Sequence, residues 1–562
     1  MLLSLPLLLG ILISPATSQL LFPVNSAQTP FEAPLRDCGG KAGRRWNEAR
    51  PPRVAIVGAG AGGSSAAYFL RHFGDLKGAG LETEVTVYDT AEYVGGRSTV
   101  IWPWNDDPFS PPRNASDPPV ELGASIFVSA NKHLQKARKV FELEEDAYGG
   151  EDGGMAIWDG ERFVLEEEKL GWSWWQKAKL IWRYGRSPFT VRSLVQKTVA
   201  DFVSLYSPEF VSRGAFTSVS NFTAITGLQE PASLYADEFF GKQGVADLFT
   251  NEIISAATQV NYGTPIDRLH GVGALVSLAA TGAVSVRGGS RQIFENFVGR
   301  SGARLRLGEN ARVQSILKLD APRSGRAQWV VRTASGVGSG TYDAVILAAP
   351  FHQTGIQMVN SLAPSRIPKQ PYVPLYVSFV MTKYARSTFA FVNPLTSHSL
   401  VSASAPRASY FGLPEKTVMP VEIFGTFTTS SSCKPTFNSL NYLRALSPET
   451  SARLGEGTFH VVKMFSDRPL EAEMLDDLFG QGNVAKTVVK RWLAYPKLEP
   501  VTKEDDFAPV RPDEGLYYPN SFERLISTME TATVSSFNAV SLLLNDFFGY
   551  VPPTSWAEWD NA

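Results

Sequence analysis

The glycines Gly58, Gly60 and Gly63 form the sequence's clearest chemical pattern, with the spacing G-x-G-x-x-G. In such a pattern the first glycine permits a tight turn, the second lets the main chain approach a pyrophosphate, and the third lets a helix pack closely on the preceding strand. An apolar run at 53–57 precedes the glycines, and residues 64–73 follow with helical spacing. The pattern predicts a dinucleotide site at the start of a helix, where unpaired N–H groups attract phosphate. The alternative is a structural turn without a ligand.

Asp89 directly follows a second predicted strand at residues 84–88. A carboxylate at the end of this strand can accept hydrogen bonds from the hydroxyls of an adenosine ribose. The alternative interpretation is a turn residue after a strand.

A second glycine group, Gly95 and Gly96, is followed by Arg97, and three further small residues come after a proline-rich loop at 102–119: Gly123, Ala124 and Ser125. Paired glycines allow close backbone approach, and an arginine supplies a fixed charge for a pyrophosphate. Together with the first pattern, these residues resemble the flavoproteins that include monoamine oxidases and phytoene desaturases. They favour FAD over an NAD-only dehydrogenase.

That resemblance implies two more contacts with the cofactor. The last predicted helix opens at Met529, Glu530 and Thr531, which match the segment that returns to the flavin in those enzymes. A helix start there can stabilise negative charge on the reduced ring. Val313 matches the residue whose main chain meets the adenine. We expect the FAD to be non-covalent, because no cysteine lies between Cys433 and the C-terminus.

A closer resemblance, to the prenylcysteine oxidase (prenylcysteine lyase) family, covers residues 53–548 and departs at 102–119 and 384–440. It is carried by motifs in the family's order at 180–185, 260–263, 271–278, 286–289, 492–496, 516–520 and 529–530. The resemblance implies an FAD-dependent thioether oxidase acting on farnesyl- or geranylgeranyl-cysteine during breakdown of prenylated proteins. Its products would be cysteine, an isoprenoid aldehyde and hydrogen peroxide, with molecular oxygen as acceptor.

Two other functions stay open at this point. One is a flavin amine oxidase of the same fold. The other is a non-catalytic, flavin-containing protein that binds lipid surfaces. Hydrogen peroxide release and anaerobic bleaching of the flavin by substrate would separate the three.

The substrate pocket has weaker candidates. Asn261 and Tyr262 lie in one family motif, and Tyr517 and Tyr518 lie just before the flavin-facing segment. Their alternatives are a turn with a packed tyrosine and ordinary core packing. No nucleophile–base set is evident, so the catalytic side chains stay unassigned. The six histidines lack ligand spacing, and we expect no metal.

The composition excludes several classes of protein. Of 562 residues, 44% are hydrophobic and 19% charged, which excludes a mostly disordered chain. A formal net charge of −2 argues against a nucleic-acid partner. Cys38 and Cys433 are too few for a disulfide scaffold, and whether they pair stays open.

The first residues predict a secretory route. Residues 1–18 contain an apolar run too short to span a bilayer, followed by small residues suited to cleavage, which favours a signal peptide over an uncleaved anchor. Asn114 and Asn221 begin glycosylation sequons. We therefore expect a glycoprotein that is secreted or resides in the vacuole or lysosome.

An aromatic patch lies at residues 172–182, with four tryptophans and neighbouring basic residues: Trp172, Trp174, Trp175, Trp182, Lys177, Lys179 and Arg183. Aromatic and basic residues together suit a peripheral contact with a membrane or lipid surface. The alternative is a core face of the substrate domain.

These elements predict an α/β fold in which a Rossmann-type FAD-binding domain is interleaved with a mixed α+β substrate domain. We expect the segments 53–130, 284–350 and 505–548 in the FAD-binding domain, and 131–283, mostly helical, with 351–504 in the substrate domain. Residues 19–52 form an N-terminal arm and 549–562 a C-terminal tail.

Overall fold

The computed structural model describes residues 50–75, 81–112, 116–147, 154–167, 174–207, 210, 214–280, 282–319, 326–383, 406–415, 417 and 419–550. The predictions for the signal peptide, the arm up to residue 49, Cys38, Asn114, Trp172 and the tail from residue 551 lie outside these residues. So do the side chains of Trp174 and Trp175.

Twenty strands are present in the described part of the chain. They are β1 Arg53–Val57, β2 Glu84–Tyr88, β3 Val100–Ile101, β4 Val120–Glu121, β5 Glu145–Ala147, β6 Met155–Trp158, β7 Phe163–Glu167, β8 Val284–Val286, β9 Arg304–Arg306, β10 Val313–Leu319, β11 Gln328–Thr333, β12 Gly340–Tyr342, β13 Ala344–Leu347, β14 Gln357–Val359, β15 Tyr372–Thr382, β16 Glu422–Gly425, β17 Ser439–Ala445, β18 His460–Ser466, β19 Val484–Pro496 and β20 Leu516–Tyr517.

The α-helices of the same residues are α1 Ala61–Asp75, α2 Lys132–Val140, α3 Trp174–Tyr184, α4 Ser187–Val203, α5 Val219–Ile225, α6 Gln229–Ser233, α7 Ala236–Lys242, α8 Asp247–Phe249, α9 Ser255–Tyr262, α10 Gly271–Leu278, α11 Arg291–Ser301, α12 Phe351–Thr354, α13 Ala363–Arg366, α14 Pro448–Leu454, α15 Ala472–Phe479 and α16 Met529–Phe548. A π-helical turn, Thr250–Ile254, joins α8 to α9. Short 3₁₀ turns lie at Ser204–Tyr206, Ile266–Arg268, Glu309–Ala311, Ala408–Phe411, Glu504–Asp506 and Pro519–Phe522.

A five-stranded parallel sheet carries the glycine motif, in the order β20-β13-β1-β2-β9. Its central strands are short apolar runs buried on both faces, as parallel sheets require. Helix α1 connects β1 to β2 and packs against α11 and α16. This arrangement confirms the predicted Rossmann-type α/β fold.

A four-stranded sheet, β12-β11-β10-β14, covers the other face of the parallel sheet. Ala55 and Val57 of β1 pack there in one core with Ile316 and Trp329. Its two longest strands, β10 and β11, pair antiparallel.

A seven-stranded mixed sheet has the order β19-β15-β18-β17-β16-β6-β7. Most helices between residues 174 and 278 share a hydrophobic core with one of its faces, and α15 packs on the other. Helix α5 instead contributes Val219 and Phe222 to the core beside the parallel sheet. The expectation that 131–283 is mostly helical missed three strands, β5 to β7. Two of them extend this sheet, because Met155–Trp158 pairs in register with Glu422–Gly425 far along the chain.

Within the described residues, none of the helices combines the length and apolar character needed to cross a membrane.

Candidate functional site

A cavity of about 370 Å³ opens where the carboxyl ends of β1, β2 and β13 meet the seven-stranded sheet. Ligands of open parallel sheets bind at this edge, because the loops that follow the strands converge there. Gly58, Asp89 and Ala348, which directly follow these three strands, all line the cavity.

The glycines of the first motif serve two different purposes. Gly58 has a φ of +109°, and a Cβ there would clash with the carbonyl oxygen of Ala348. A Cβ on Gly63 would clash with the carbonyl oxygen of Gly58, so both glycines are required by the fold itself. At Gly60 the nearest atom to an added Cβ is the Cα of Gly96, at 3.8 Å. The lack of a side chain at Gly60 therefore leaves open space in the cavity, and the packing of the protein itself does not require it.

The second glycine pair lies against the first turn. The N–H of Gly95 donates to the carbonyl oxygen of Ala59 at 2.9 Å, and Gly60 and Gly95 form a parallel bridge. Gly95 and Gly96 both have positive φ. Two stretches of main chain without side chains thus line the cavity side by side. This arrangement would let a ligand come into close contact with the backbone.

Asp89 is largely occupied by the turn it supports. Its carboxylate accepts the N–H of Ala59 at 2.7 Å and that of Ala91 at 2.8 Å. Burial raises its pKa although these hydrogen bonds act to lower it. The structure therefore gives Asp89 the turn role that was the alternative interpretation. It also lines the cavity, and its role toward a ribose stays a prediction.

Arg97 lines the cavity as part of an ion pair. Its guanidinium contacts the carboxylate of Glu523 and donates to the carbonyl oxygen of Ala494 at 2.8 Å. Glu523 also accepts from Tyr372 at 2.5 Å and Asn520 at 2.9 Å. Burial acts to raise the pKa of Glu523, but the charge of Arg97 and these hydrogen bonds lower it. Sequence reasoning missed Glu523, and the pyrophosphate role of Arg97 stays a prediction.

The loop after β4 contributes two of its three predicted residues to the cavity. Gly123 and Ala124 line it, whereas Ser125 uses its carbonyl oxygen to accept the hydroxyl of Ser290 at 2.6 Å. A Cβ on Gly123 would come within 2.7 Å of the Trp492 ring. Gly123 therefore allows the indole of the seven-stranded sheet to approach this loop.

A buried lysine holds the same loop from behind. Lys463 of β18 donates to the carbonyl oxygen of Glu121 at 2.7 Å, between the rings of Phe379 and Phe465. Burial lowers the pKa of Lys463 and raises that of Glu121, because both charged forms lose water. The sequence shows Lys463 only as a single lysine within an apolar strand, so it did not predict this contact with Glu121.

The start of α16 faces the cavity as predicted for Met529 and Thr531, but the Glu530 side chain does not line it. The Glu530 carboxylate accepts the N–H groups of His133 at 2.8 Å and Leu134 at 3.0 Å, at the first turn of α2. A helix places consecutive side chains about 100° apart, so Glu530 points away when its neighbours point in. Burial raises the pKa of Glu530 to about 7.

Thr528 caps this helix. Its hydroxyl accepts the N–H of Thr531 at 3.1 Å, and the Thr531 hydroxyl accepts the N–H of Thr528 at 3.1 Å. Ser536, two turns on, donates to the carbonyl oxygen of Gly62 at 2.7 Å. This bond joins the third turn of α16 to the first turn of α1. Both helices begin at the cavity, and both starts offer N–H groups that lack intrahelical partners.

Val313 is not among the cavity-lining residues. Its side chain is buried in the core between the parallel sheet and the four-stranded sheet, together with Tyr88 and Trp329. A main-chain contact of Val313 with an adenine stays a prediction.

The four substrate candidates also lie outside the main cavity lining. Asn261 braces two helices by donating to the carbonyl oxygens of Ala257 at 2.9 Å and Ser277 at 3.1 Å. Tyr517 belongs to the parallel sheet and donates to Asp546 at 2.7 Å. The packing alternatives describe these two positions better.

The other two candidates are neighbours of the cavity. Tyr518 accepts the N–H of Phe351 at 3.2 Å and lines a small adjoining pocket. Tyr262 packs edge-on against Tyr495, with ring centroids 5.3 Å apart, and Tyr495 lines the main cavity. Tyr262 therefore backs the cavity wall.

The apolar wall of the cavity comes from the seven-stranded sheet and was not predicted residue by residue. It consists of Leu375, Val377, Phe465 and Trp492. Val377 and Phe465 are directly paired across β15 and β18. The sequence signal for this wall was the family motif at 492–496, which contains Trp492.

The arrangement fits a dinucleotide that carries a flat aromatic ring. Gly58, Gly60, Gly95 and Gly96 supply a backbone cradle, and α1 and α16 supply two helix starts. Ser98 lines the cavity with a buried hydroxyl that has no hydrogen-bond partner among the described residues. A buried polar atom of this kind calls for a ligand or water. The aromatic and aliphatic wall completes a site that is polar at one end and apolar at the other.

Other predicted residues lie elsewhere. Cys433 is partly buried beside Gly160, outside the cavity lining, and Asn221 is exposed on α5. Within the described ranges, no group of three or more histidines, cysteines and acidic residues could hold a metal ion.

Comparison with known families gives two matches. The family described as prenylcysteine lyase matches residues 167–551, and an NAD(P)-binding Rossmann-like domain matches residues 56–142. A farnesylcysteine lyase of Arabidopsis thaliana is 28% identical over 91% of this chain and 92% of its own length. Prenylcysteine oxidase 1 of Homo sapiens is 26% identical over 92% of this chain and 93% of its own.

Solved structures share the fold at low sequence identity. Cyclohexylamine oxidase from Brevibacterium oxydans has a TM-score of 0.53 and 13% identity, covering 88% of this chain and 99% of that one. Wild-type putrescine oxidase bound to putrescine has a TM-score of 0.50 and the same identity and coverage.

Proposed function

The chain belongs to the prenylcysteine lyase family and is an FAD-dependent oxidoreductase, and on that basis we propose that it cleaves farnesyl- or geranylgeranyl-cysteine. The overall reaction consumes one prenylcysteine, one O₂ and one water. It yields free cysteine, an isoprenoid aldehyde and hydrogen peroxide. Its place is the breakdown of prenylated proteins.

The observation that carries this proposal is the division of the cavity into two unlike ends. The glycine cradle and the two helix starts suit a dinucleotide, and the wall of Leu375, Val377, Phe465 and Trp492 suits a branched hydrocarbon chain. A site built for a small hydrophilic substrate would not need four large apolar side chains facing it.

Each part of the chain has a defined task in this reaction. FAD, when bound, supplies the two-electron acceptor for oxidation of the carbon bonded to sulfur. The first turns of α1 and α16 direct N–H groups and partial positive charge into the cavity. The apolar wall holds the isoprenoid and excludes bulk water from the reacting carbon.

The test is reduction of the purified yellow protein by substrate without oxygen. Farnesylcysteine is expected to bleach the flavin absorbance, and readmission of air to restore it with one hydrogen peroxide per cysteine released. A saturated S-alkylcysteine of equal length is the matched control, since it lacks the double bond that stabilises charge beside sulfur.

Two results would redirect the assignment. Bleaching by a primary amine but not by farnesylcysteine would make the protein an amine oxidase. A flavin that neither class of compound reduces would make it a non-catalytic binding protein.

We also propose that the protein enters the secretory pathway and reaches the vacuole, the lysosome or the medium. The signal-like residues 1–18 and the exposed Asn221 support this. Enzymatic removal of N-glycans should lower the mass of the secreted protein, and Asn221→Gln should abolish part of that shift. A protein that keeps residues 1–18 and stays unglycosylated would contradict it.

A further inference from the structure

The corner between α3 and α4 presents large apolar side chains to solvent. Trp182 is 90% exposed, and Ile181, Phe189 and Leu248 are each about 40% exposed. Leu248 lies beside the corner. Two residues before it, the N–H of Ala246 donates to the hydroxyl of Ser187 at 2.9 Å, and Ser187 begins α4. We call these four residues the corner patch.

The corner is well anchored, so the exposure does not come from a loose helix end. Tyr184 is buried, packs on Phe249 with ring centroids 5.2 Å apart, and donates to Glu252 at 2.6 Å. Arg183 forms an ion pair with the same carboxylate. Gly185, with φ of +60°, makes the turn between the helices. The patch is therefore displayed on a rigid support.

The charge around the corner patch is mostly positive. Residues 174–199 include six lysines and arginines and no acidic residue, in a chain whose net charge is −2: Lys177, Lys179, Arg183, Arg186, Arg192 and Lys197. Of these, Lys179 and Arg186 are exposed next to the patch. Asp247, beside Leu248, is the exposed acidic residue facing it from α8. Because Arg183 pairs with Glu252 and Lys197 pairs with Asp201, the positive excess beside the patch is carried by Lys179 and Arg186.

We propose that the corner patch docks the protein onto an anionic phospholipid surface. Tryptophan, isoleucine and phenylalanine enter the headgroup boundary, and lysine and arginine beside them meet the lipid phosphates. A surface of this composition combines the two attractions that peripheral proteins need. Trp182 is the one member of the predicted tryptophan patch whose exposure the structure shows, and it favours the lipid-surface interpretation over the core-face alternative.

The helices of the corner pack on the same hydrophobic core that lines the apolar side of the cavity. Leu180 and Tyr184 face inward from α3 into the same hydrophobic cluster as Leu375, Val377 and Phe465. Docking would thus place the substrate-side half of the molecule against the bilayer. The docking itself rests on the surface and not on which substrate is used.

The experiment measures co-sedimentation of the holoenzyme with vesicles of phosphatidylcholine alone and with 30% phosphatidylserine. The native protein should bind the second type, and raised salt should weaken binding. Trp182→Ser with Phe189→Ser should lower the partition coefficient by about tenfold or more. Lys179→Glu with Arg186→Glu should lower it by a similar factor on anionic vesicles. Val337→Ser, which removes an apolar residue 68% exposed on a distant turn, is the matched control.

Flavin content and turnover of dispersed farnesylcysteine should be unchanged in every variant, which separates failure of docking from failure of the enzyme. Equal vesicle binding by the native protein and the Trp182/Phe189 variant would overturn the proposal. So would a patch variant that alters only the oligomeric state seen by light scattering, because the patch would then join two copies of the chain.

Discussion

Gly60 and Gly63 belong to one motif, yet a methyl group would have opposite consequences at the two positions. At Gly63 it would clash with the main chain of Gly58, whereas at Gly60 it would meet nothing closer than 3.8 Å. Gly63 is therefore required by the fold, whereas Gly60 is predicted to serve a ligand. Substitutions at the two positions can therefore separate an effect on folding from an effect on ligand binding.

Gly60→Ala is accordingly expected to fold with a melting temperature near that of native apoprotein but to lose FAD. Gly63→Ala should fail to give soluble protein. Flavin absorbance per protein and thermal melts of the apoproteins check both. Gly299→Ala, at an open helical position, is the control and should stabilise by about 0.5–1 kcal/mol. An FAD-replete Gly60→Ala protein would refute the assigned role of Gly60.

The element proposed to contact the substrate is β15, whose side chains alternate between two cores. Val377 and Leu375 face the cavity side, and Val380 faces the opposite core with Val462. Val377 and Val380 are both fully buried. The strand thereby offers an internal comparison of two chemically equal sites.

Val377→Thr should raise KM for farnesylcysteine about fivefold with little change in kcat, because a hydroxyl replaces a methyl that contacts the hydrocarbon, at a cost of ~1 kcal/mol. Val380→Thr should lose similar stability without a change in KM. Steady-state kinetics and unfolding curves separate the two effects. Equal KM values in both variants would remove the apolar wall from the substrate site.

Helix α10 gives a pH dependence at the same scale. His270 caps it: Nδ1 accepts the N–H of Gly273 at 3.1 Å, and Nε2 lies 3.1 Å from the carbonyl oxygen of Arg524. Burial lowers the pKa of His270 from 6.5 to about 4. The unfolded chain therefore takes up a proton first as pH falls, so this stability is present above about 6.5 and is lost toward pH 4.

The loss from this single group amounts to at most about 3 kcal/mol between pH 7 and pH 4. Urea unfolding across this range should show a shallower pH dependence for His270→Asn, which keeps a capping oxygen but cannot titrate. His72→Asn, at a partly exposed position, should follow the native curve. Parallel curves for all three proteins would contradict the assignment.

At the scale of the whole molecule, one cavity is shared by two sheets of different architecture. The parallel sheet provides the glycine turn, and the seven-stranded sheet provides Trp492, Ala494 and the apolar wall. Arg97 joins the two by bonding Ala494. A ligand that fills the cavity must therefore couple both halves.

FAD bound at 100 times its dissociation constant should stabilise the protein by about 2.7 kcal/mol. Hydrogen exchange should slow together in peptides covering residues 58–64 and 492–496 when FAD is added to the apoprotein. The strands at 155–167, at the far edge of the seven-stranded sheet, serve as the unaffected control. Protection confined to 58–64 would show that the two sheets do not share the ligand.

The sequence by itself determined the nucleotide half of this protein. Gly58, Gly60 and Gly63 lie within six consecutive residues between a strand and a helix, so local rules of turn geometry and strand burial were enough to place them. The family motifs likewise depend on residues close together in the chain. Family and fold class were therefore predicted correctly before any coordinates.

Only the tertiary structure decided which side chains face the cavity. Glu523 pairs with Arg97 across 426 positions, and Lys463 reaches Glu121 across 342. Glu530 turns toward α2 although Met529 and Thr531 face the cavity. Contacts between distant segments depend on sheet order and helix rotation, which no local spacing encodes. For the same reason the sequence did not show that Tyr517 and Asn261 pack within the fold instead of lining the cavity. The apolar wall belongs to strands whose sequence shows only that they are buried.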